Sequence, residues 1–346
     1  MAINKFTVSR DESIYEAWPD LVKTESGKLI CVFTECEHHG DRENSRIVMA
    51  ESFDRGRTWS QKKPLTGKCR KDDYFNNARI SKLPDGRLAI ICDRVYKDEN
   101  TSSSIYVWYG DGEGQTWSDP IIYPFCGIVP DKLKVLKNGR MIISAHFKSP
   151  ETEKLTQYLW YSDDDGKTWS EMVTLASDPR YNLCEASIIE PEEGVLVAFL
   201  RENSRMGCDI LKTISYDNGN TWSPVCNTQM DCGHRPVAGF LSDGGVMVTY
   251  RYIPGKSHNV FAAFLERGEL TETAREKQTA RIMPLDYDRN VNPDLGYTGW
   301  VQFDDGEIYV VNYIRDDADK AYIRGYSFYP EDVQLPPSEN NTKGVF

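Results

Sequence analysis

The chain has 346 residues, 53 Asp and Glu against 41 Lys and Arg, a formal net charge of −12, and 40% apolar and 12% aromatic side chains. That apolar and aromatic content excludes a disordered chain, and its apolar runs, such as residues 88–92 and 195–200, fall far short of the ~20 residues that span a bilayer. The acid excess argues against nucleic-acid binding by the surface as a whole, and the length suits two ordinary domains or one large β-architecture.

In chain order, residues 5–9 read as a strand, and six apolar strand pairs then follow, each split by a turn. They are residues 21–34 around Glu25-Ser-Gly27, 80–92 around Pro84-Asp-Gly86, 133–145 around Lys137-Asn-Gly139, 186–200 around Glu192-Glu-Gly194, 237–250 around Ser242-Asp-Gly244 and 300–311 around Asp304-Asp-Gly306. Each is a hairpin signal, apolar strands flanking a turn that glycine can close. Residues 321–328 read as a further strand, and the tail from Leu335 as loop.

Offset from these hairpins, the pattern Ser-x-Asp-x-Gly-x-Thr-Trp recurs at Ser52–Trp59, Ser162–Trp169 and Ser215–Trp222. An eroded copy ends in Gly114-Gln-Thr116-Trp117, with Gly112 where the Asp would stand, and the tryptophans lie 58, 52 and 53 residues apart. Asp and Gly supply turn conformations, while Thr and Trp open the next strand and the Trp buries between units. The motif is a folding staple rather than a catalytic site. Six hairpins at even spacing predict an all-β fold, a six-bladed β-propeller of four-stranded antiparallel blades in one domain over 1–346. Residues 5–9 and 321–328 would share the last blade and close the ring.

The nine cysteines are odd in number and show no CxxC spacing, and residues 1–6 carry no apolar signal segment. The expectation is reduced, mostly structural cysteines in a cytoplasmic protein. Nothing in the sequence demands a metal or another cofactor.

In a propeller, the openings of the innermost strands and the ends of the returning strands converge on the axis. The openings are Trp18-Pro19-Asp20, Asn77-Ala78-Arg79, Pro130-Asp131-Lys132, Cys184-Glu185, Gly233-His234-Arg235-Pro236 and Gly296-Tyr297-Thr298. The returning strands finish at Glu35, Asp93-Arg94, His146, Arg201-Glu202, Arg251 and Asn312-Tyr313. The expected pocket sets Arg79, Arg94, Lys132, Arg201, Arg235 and Arg251 against Asp20, Asp131 and Glu185. A basic well inside an acidic protein implies a small acidic ligand, because guanidinium forks grip carboxylates bidentately.

These repeats and strand openings resemble the sialidase (neuraminidase) superfamily, whose six-bladed propellers carry the Ser-x-Asp-x-Gly-x-Thr-Trp motif as Asp boxes, or BNR repeats. The resemblance covers essentially the whole chain. It implies a Tyr nucleophile with a Glu base, and Tyr297 and Glu185 match those positions. It also implies three arginines on the substrate carboxylate, one matched by Arg201, with Arg235 or Arg251 as a further one. The family's Asp acid lies in a loop corresponding to residues 35–43, where Asp41, then Glu43, then His38 and His39 are the candidates. The family's Arg-Ile-Pro triplet is absent, because this chain has Ala17-Trp18-Pro19 there.

Three functions follow as expectations. The first is an exo-acting glycoside hydrolase that uses Tyr297, Glu185 and Asp41 on an acidic mono- or oligosaccharide. The second is a lyase acting beside a uronate, with His234, His146 or Tyr297 moving protons. The third is a sugar-binding propeller without catalysis. The sugar and the oligomeric state stay open.

Overall fold

Six antiparallel sheets follow one another along the chain in the computed structural model, which describes residues 3–42, 44–70, 73–97 and 102–333. Glu43 and the tail from residue 335 lie outside the described residues. Blade 1 comprises Tyr15–Lys23, Leu29–Cys36, Arg46–Ser52 and Lys63–Pro64. Blades 3, 4 and 5 repeat that order from Lys134–Val135, Leu183–Glu192 and Gly233–Phe240. In blade 2 the inner strand is interrupted, with Asp73–Phe75 and Arg79–Lys82 both pairing with Leu88–Tyr96.

Blade 6 closes the ring. Asn4–Ser9 pairs antiparallel with Tyr322–Phe328 as its outer strand, so the two ends of the chain complete one sheet as expected. The architecture is the six-bladed β-propeller of four-stranded blades. The described residues contain one α-helix, Pro330–Val333, and no helix long and apolar enough to cross a membrane.

The core lies between the blades. Each of six apolar clusters joins two neighbours, as where Leu21, Leu29 and Phe33 of blade 1 meet Tyr309 and Val311 of blade 6. Central strands such as Leu29–Cys36 and Ile308–Ile314 are buried along their whole length because they are packed on both faces. That is why they read as continuous apolar runs.

The recurring turn motif adds a rim of staples. In the first copy, Asp54 Oδ1 accepts from the Thr58 amide at 2.8 Å and Oδ2 from the Thr58 hydroxyl at 2.6 Å. The Trp59 indole donates to the Gly56 carbonyl at 3.1 Å. The eroded copy keeps this pattern, because Asp111 accepts from the Thr116 amide at 2.7 Å and hydroxyl at 2.6 Å. Its aspartate has moved by one position and has not been lost. All nine cysteines are free thiols, five of them buried.

Candidate active site

The inner strands open with a β-bulge. Register shifts fall between Ala17 and Asp20, Cys184 and Ser187, His234 and Val237, and Gly296 and Gly299. The first bulged residue of each, Trp18, Glu185, Arg235 or Tyr297, has φ between 50° and 56°, and Val129 of blade 3 has φ 54°. Non-glycine residues in this left-handed region are strained and cluster at functional sites. The bulge turns these side chains into one layer around the axis.

Within that layer, the Tyr297 hydroxyl donates to Glu185 Oε1. Arg201, at the end of the returning strand of blade 4, donates to the same oxygen at 3.0 Å. Arg235 and Arg251 each stand over the Tyr297 ring, 5.5 Å from its centroid. Gly296 makes room for Arg251, since a Cβ there would meet Arg251 Cδ at 2.8 Å. Several buried polar atoms in this cluster have no partner among the described residues: Nε of Arg201, Arg235 and Arg251, Nη1 of Arg235, Oε2 of Glu185 and Nδ1 of His234. Buried donors without acceptors carry a desolvation cost that an anionic ligand would relieve.

The electrostatics follow from this crowding. Burial alone would raise the Glu185 carboxyl, but Arg201 and Arg235 outweigh it and hold the group well below the usual carboxylate range. Burial, reinforced by the Glu185 charge, pushes the Tyr297 phenol well up. The resting proton therefore sits on the phenol and the charge on the carboxylate. Burial lowers His234 to about 3, with the Arg201 and Arg251 charges adding to it. Burial also lowers His146 to about 4. Both histidines are neutral near pH 7.

Four residues expected at the ligand face lie one layer deeper. Asp20, Arg79 and Asp131 occupy the position after the bulge and stitch blades together. Asp20 Oδ2 accepts from the Ile80 amide at 2.8 Å, and Asp131 Oδ2 from the Ile188 amide at 2.9 Å. Arg79, 1% exposed, lies 3.3 Å from Asp20 and donates to the Thr298 carbonyl at 3.1 Å. Lys132 also lies 3.2 Å from Asp20. Lys132 and Asp131 line a cavity of about 870 Å³ at the opposite end of the axis, walled by Ile80, Ile188 and Trp300. Arg94, on the second strand of blade 2, is paired with Asp73 of the interrupted inner strand and packed on Phe75 and Tyr96. The extra residue in the inner strands moves Asp20 and Arg79 out of the expected ring.

In the loop after the first hairpin, Asp41 is exposed, and its backbone closes a bridge with His38. His39 points inward instead. Its ring stands edge-on to Trp18, with centroids 5.4 Å apart, and its Nδ1 lies 2.7 Å from Asp294 Oδ2. Asp294 also accepts from the hydroxyls of Tyr15 and, at 2.9 Å, Tyr313. Burial would raise this carboxyl, but His39 and Tyr15 outweigh it and hold it at about 2. Sequence reasoning missed Asp294 and Tyr15, and named Tyr313 only as a strand end near the axis. The available signal was Asp294 itself, an acidic residue three positions before Tyr297.

Residues 27–310 match the family model described as a BNR repeat-like domain. A sialidase of Paraclostridium sordellii is 23% identical over 239 residues, an alignment covering 59% of this chain and 56% of that protein. The chain thus spans just over half the length of this curated relative. Among solved structures, a Dyadobacter fermentans protein of unknown function has a TM-score of 0.78 at 22% identity, covering 94% of this chain and 98% of that one. The Hadza microbial sialidase Hz136 has a TM-score of 0.69 at 18% identity, covering 94% of this chain and 67% of that one.

Proposed function

The chain belongs to the BNR repeat-like family of sialidase-superfamily propellers, and from that premise we propose that it is a retaining, exo-acting glycoside hydrolase that removes a terminal acidic sugar. One observation carries this reading. A phenol bonded to a buried carboxylate lies beside arginines whose Nε atoms lack acceptors among the described residues.

Arg201, Arg235 and Arg251 take the sugar carboxylate. Tyr297 attacks the anomeric carbon and passes its proton to Glu185, giving a covalent glycosyl-tyrosine that water then hydrolyses with net retention. A neutral phenol approaches an anionic sugar without the repulsion a carboxylate nucleophile would meet. The resting site holds Glu185 as a weak base because Arg201 and Arg235 stabilise its charge. A substrate carboxylate on those arginines offsets their field, so Glu185 gains basicity as Tyr297 comes to need it.

Elimination beside a uronate fits less well. His234, held at about 3, is neutral but too weak a base for a carbon acid.

The test is product mass after incubation with sialylated and uronate-terminated oligosaccharides. Fragments that together gain one water, with a released acidic monosaccharide, are expected. Fragments that sum to the starting mass, one absorbing in the near ultraviolet, would replace hydrolysis with elimination. No cleavage of any member would leave a binding propeller as the reading.

A further inference from the structure

We propose that His39, held by Asp294, is the acid/base of this site. It protonates the departing glycosidic oxygen and later takes a proton from the attacking water. The assignment rests on the hydrolase reading above and completes it, because Tyr297 and Glu185 supply no proton to the leaving group.

The geometry narrows the candidates in the loop that follows the first hairpin. Asp41 is exposed at the turn, joined to His38 through the backbone, whereas His39 folds back against Trp18. Trp18 is the blade 1 member of the bulged layer that also presents Glu185, Arg235 and Tyr297. His39 therefore borders the pocket from above its blade 1 wall. Tyr313 links the two parts of the site, its ring 6.2 Å from Trp18 and 6.3 Å from Tyr297.

The carboxylate behind the imidazole decides which nitrogen works. A carboxylate held at about 2 can only accept, so Nδ1 of His39 carries the hydrogen donated to Asp294. Nε2 is left to give and take the proton, on a side chain that remains 38% exposed. Tyr15 donates to the same oxygen, Oδ2, and Tyr313 to the other, Oδ1, and Asp294 is a positioning residue.

The steps balance. In the first, the bond between the anomeric carbon and the leaving oxygen breaks, that oxygen takes the Nε2 proton, and Tyr297 Oη bonds the carbon while its proton passes to Glu185. In the second, water bonds the carbon, its proton goes to Nε2, and the phenol leaves and recovers its proton from Glu185.

The experiment uses 4-nitrophenyl and methyl glycosides of N-acetylneuraminic, glucuronic and galacturonic acids, with wild type, His39→Ala, His39→Gln and Tyr297→Phe. Nitrophenolate leaves without protonation, whereas methoxide does not. We expect both His39 variants to lose about a hundredfold or more on the methyl glycoside and less than about tenfold on the nitrophenyl one. Tyr297→Phe should lose both. His39→Gln keeps a side chain able to donate to Asp294, and it separates loss of the acid from loss of fold. Equal losses on both glycosides, or no loss on either, would overturn the His39 assignment while leaving Tyr297 as nucleophile. Full activity of Tyr297→Phe would remove the nucleophile, and no cleavage by wild type would overturn the hydrolase reading; either result takes the His39 role with it.

Discussion

Tyr297 and Arg201 donate to the same oxygen of Glu185, the phenol from blade 6 and the guanidinium from the strand paired with the carboxylate's own. One carboxylate oxygen thus meets both the proton it would receive and the cation that keeps it from receiving that proton at rest. The phenol is removable without orphaning the carboxylate, because Arg201 stays bonded to it.

Tyr297→Phe is therefore expected to fold like wild type, with a melting temperature within a few degrees, and to lose turnover by about a thousandfold or more. Steady-state rates on the substrate identified by the product panel check this. Rates near wild type would remove Tyr297 from the mechanism.

Arg251 is 6% exposed, its Nε has no partner among the described residues, and its guanidinium donates to the Leu295 carbonyl at 3.3 Å. A buried cation short of partners serves a ligand at the expense of the fold. Arg251→Met should raise the melting temperature without ligand, by about 1 kcal/mol of stability, and weaken binding of an acidic sugar by about tenfold or more. Calorimetry and titration with the same sugar read both effects. A lower melting temperature would show that Arg251 stabilises the empty pocket.

Burial raises the Asp93 carboxyl to about 6, although it accepts from Asn76 and from the Val129 amide. The folded state binds this proton more tightly than the unfolded state does, so the contribution is present below about pH 4 and lost as pH rises through about 6. At pH 8 the ionised form costs about 3 kcal/mol. Asp93→Asn should raise the melting temperature at pH 8 clearly more than at pH 5. Asn76 can turn its amide to meet the new donor, since its own oxygen is unpartnered. An equal shift at both pH values would show that Asp93 does not titrate in this range.

Gly299 lies at the seam of blades 6 and 1. A Cβ there would run into Asp20 Oδ1 and meet the Leu21 amide at 2.6 Å, the second of them backbone that cannot move cheaply. Gly299→Ala should destabilise by about 2–3 kcal/mol, read as a lower midpoint in urea with an unchanged slope. An unchanged midpoint would mean that the seam is looser than these contacts imply.

The six hairpins, the recurring turn motif and the closing strand pair were legible because each is local chemistry. A turn needs Gly or Asp at a fixed offset, and a strand packed on both faces reads as a continuous apolar run. The candidate pocket was legible only in part. Tyr297, Glu185, Arg201, Arg235 and Arg251 converge where the strand order put them. Asp20, Arg79 and Asp131 do not, because an extra residue in each inner strand separates two layers along the axis. The bulge is set by side chains from neighbouring blades, and residues as different as Trp18, Glu185, Arg235 and Tyr297 occupy the same left-handed position. No residue type marks it in advance. The pairing of His39 with Asp294 spans 255 positions and exists only once the ring has closed. The sequence by itself determined a closed ring of blades and the charges near its axis. The tertiary structure alone decided which charges face a ligand and which hold the blades together, because one residue of register moves a side chain from one layer to the other.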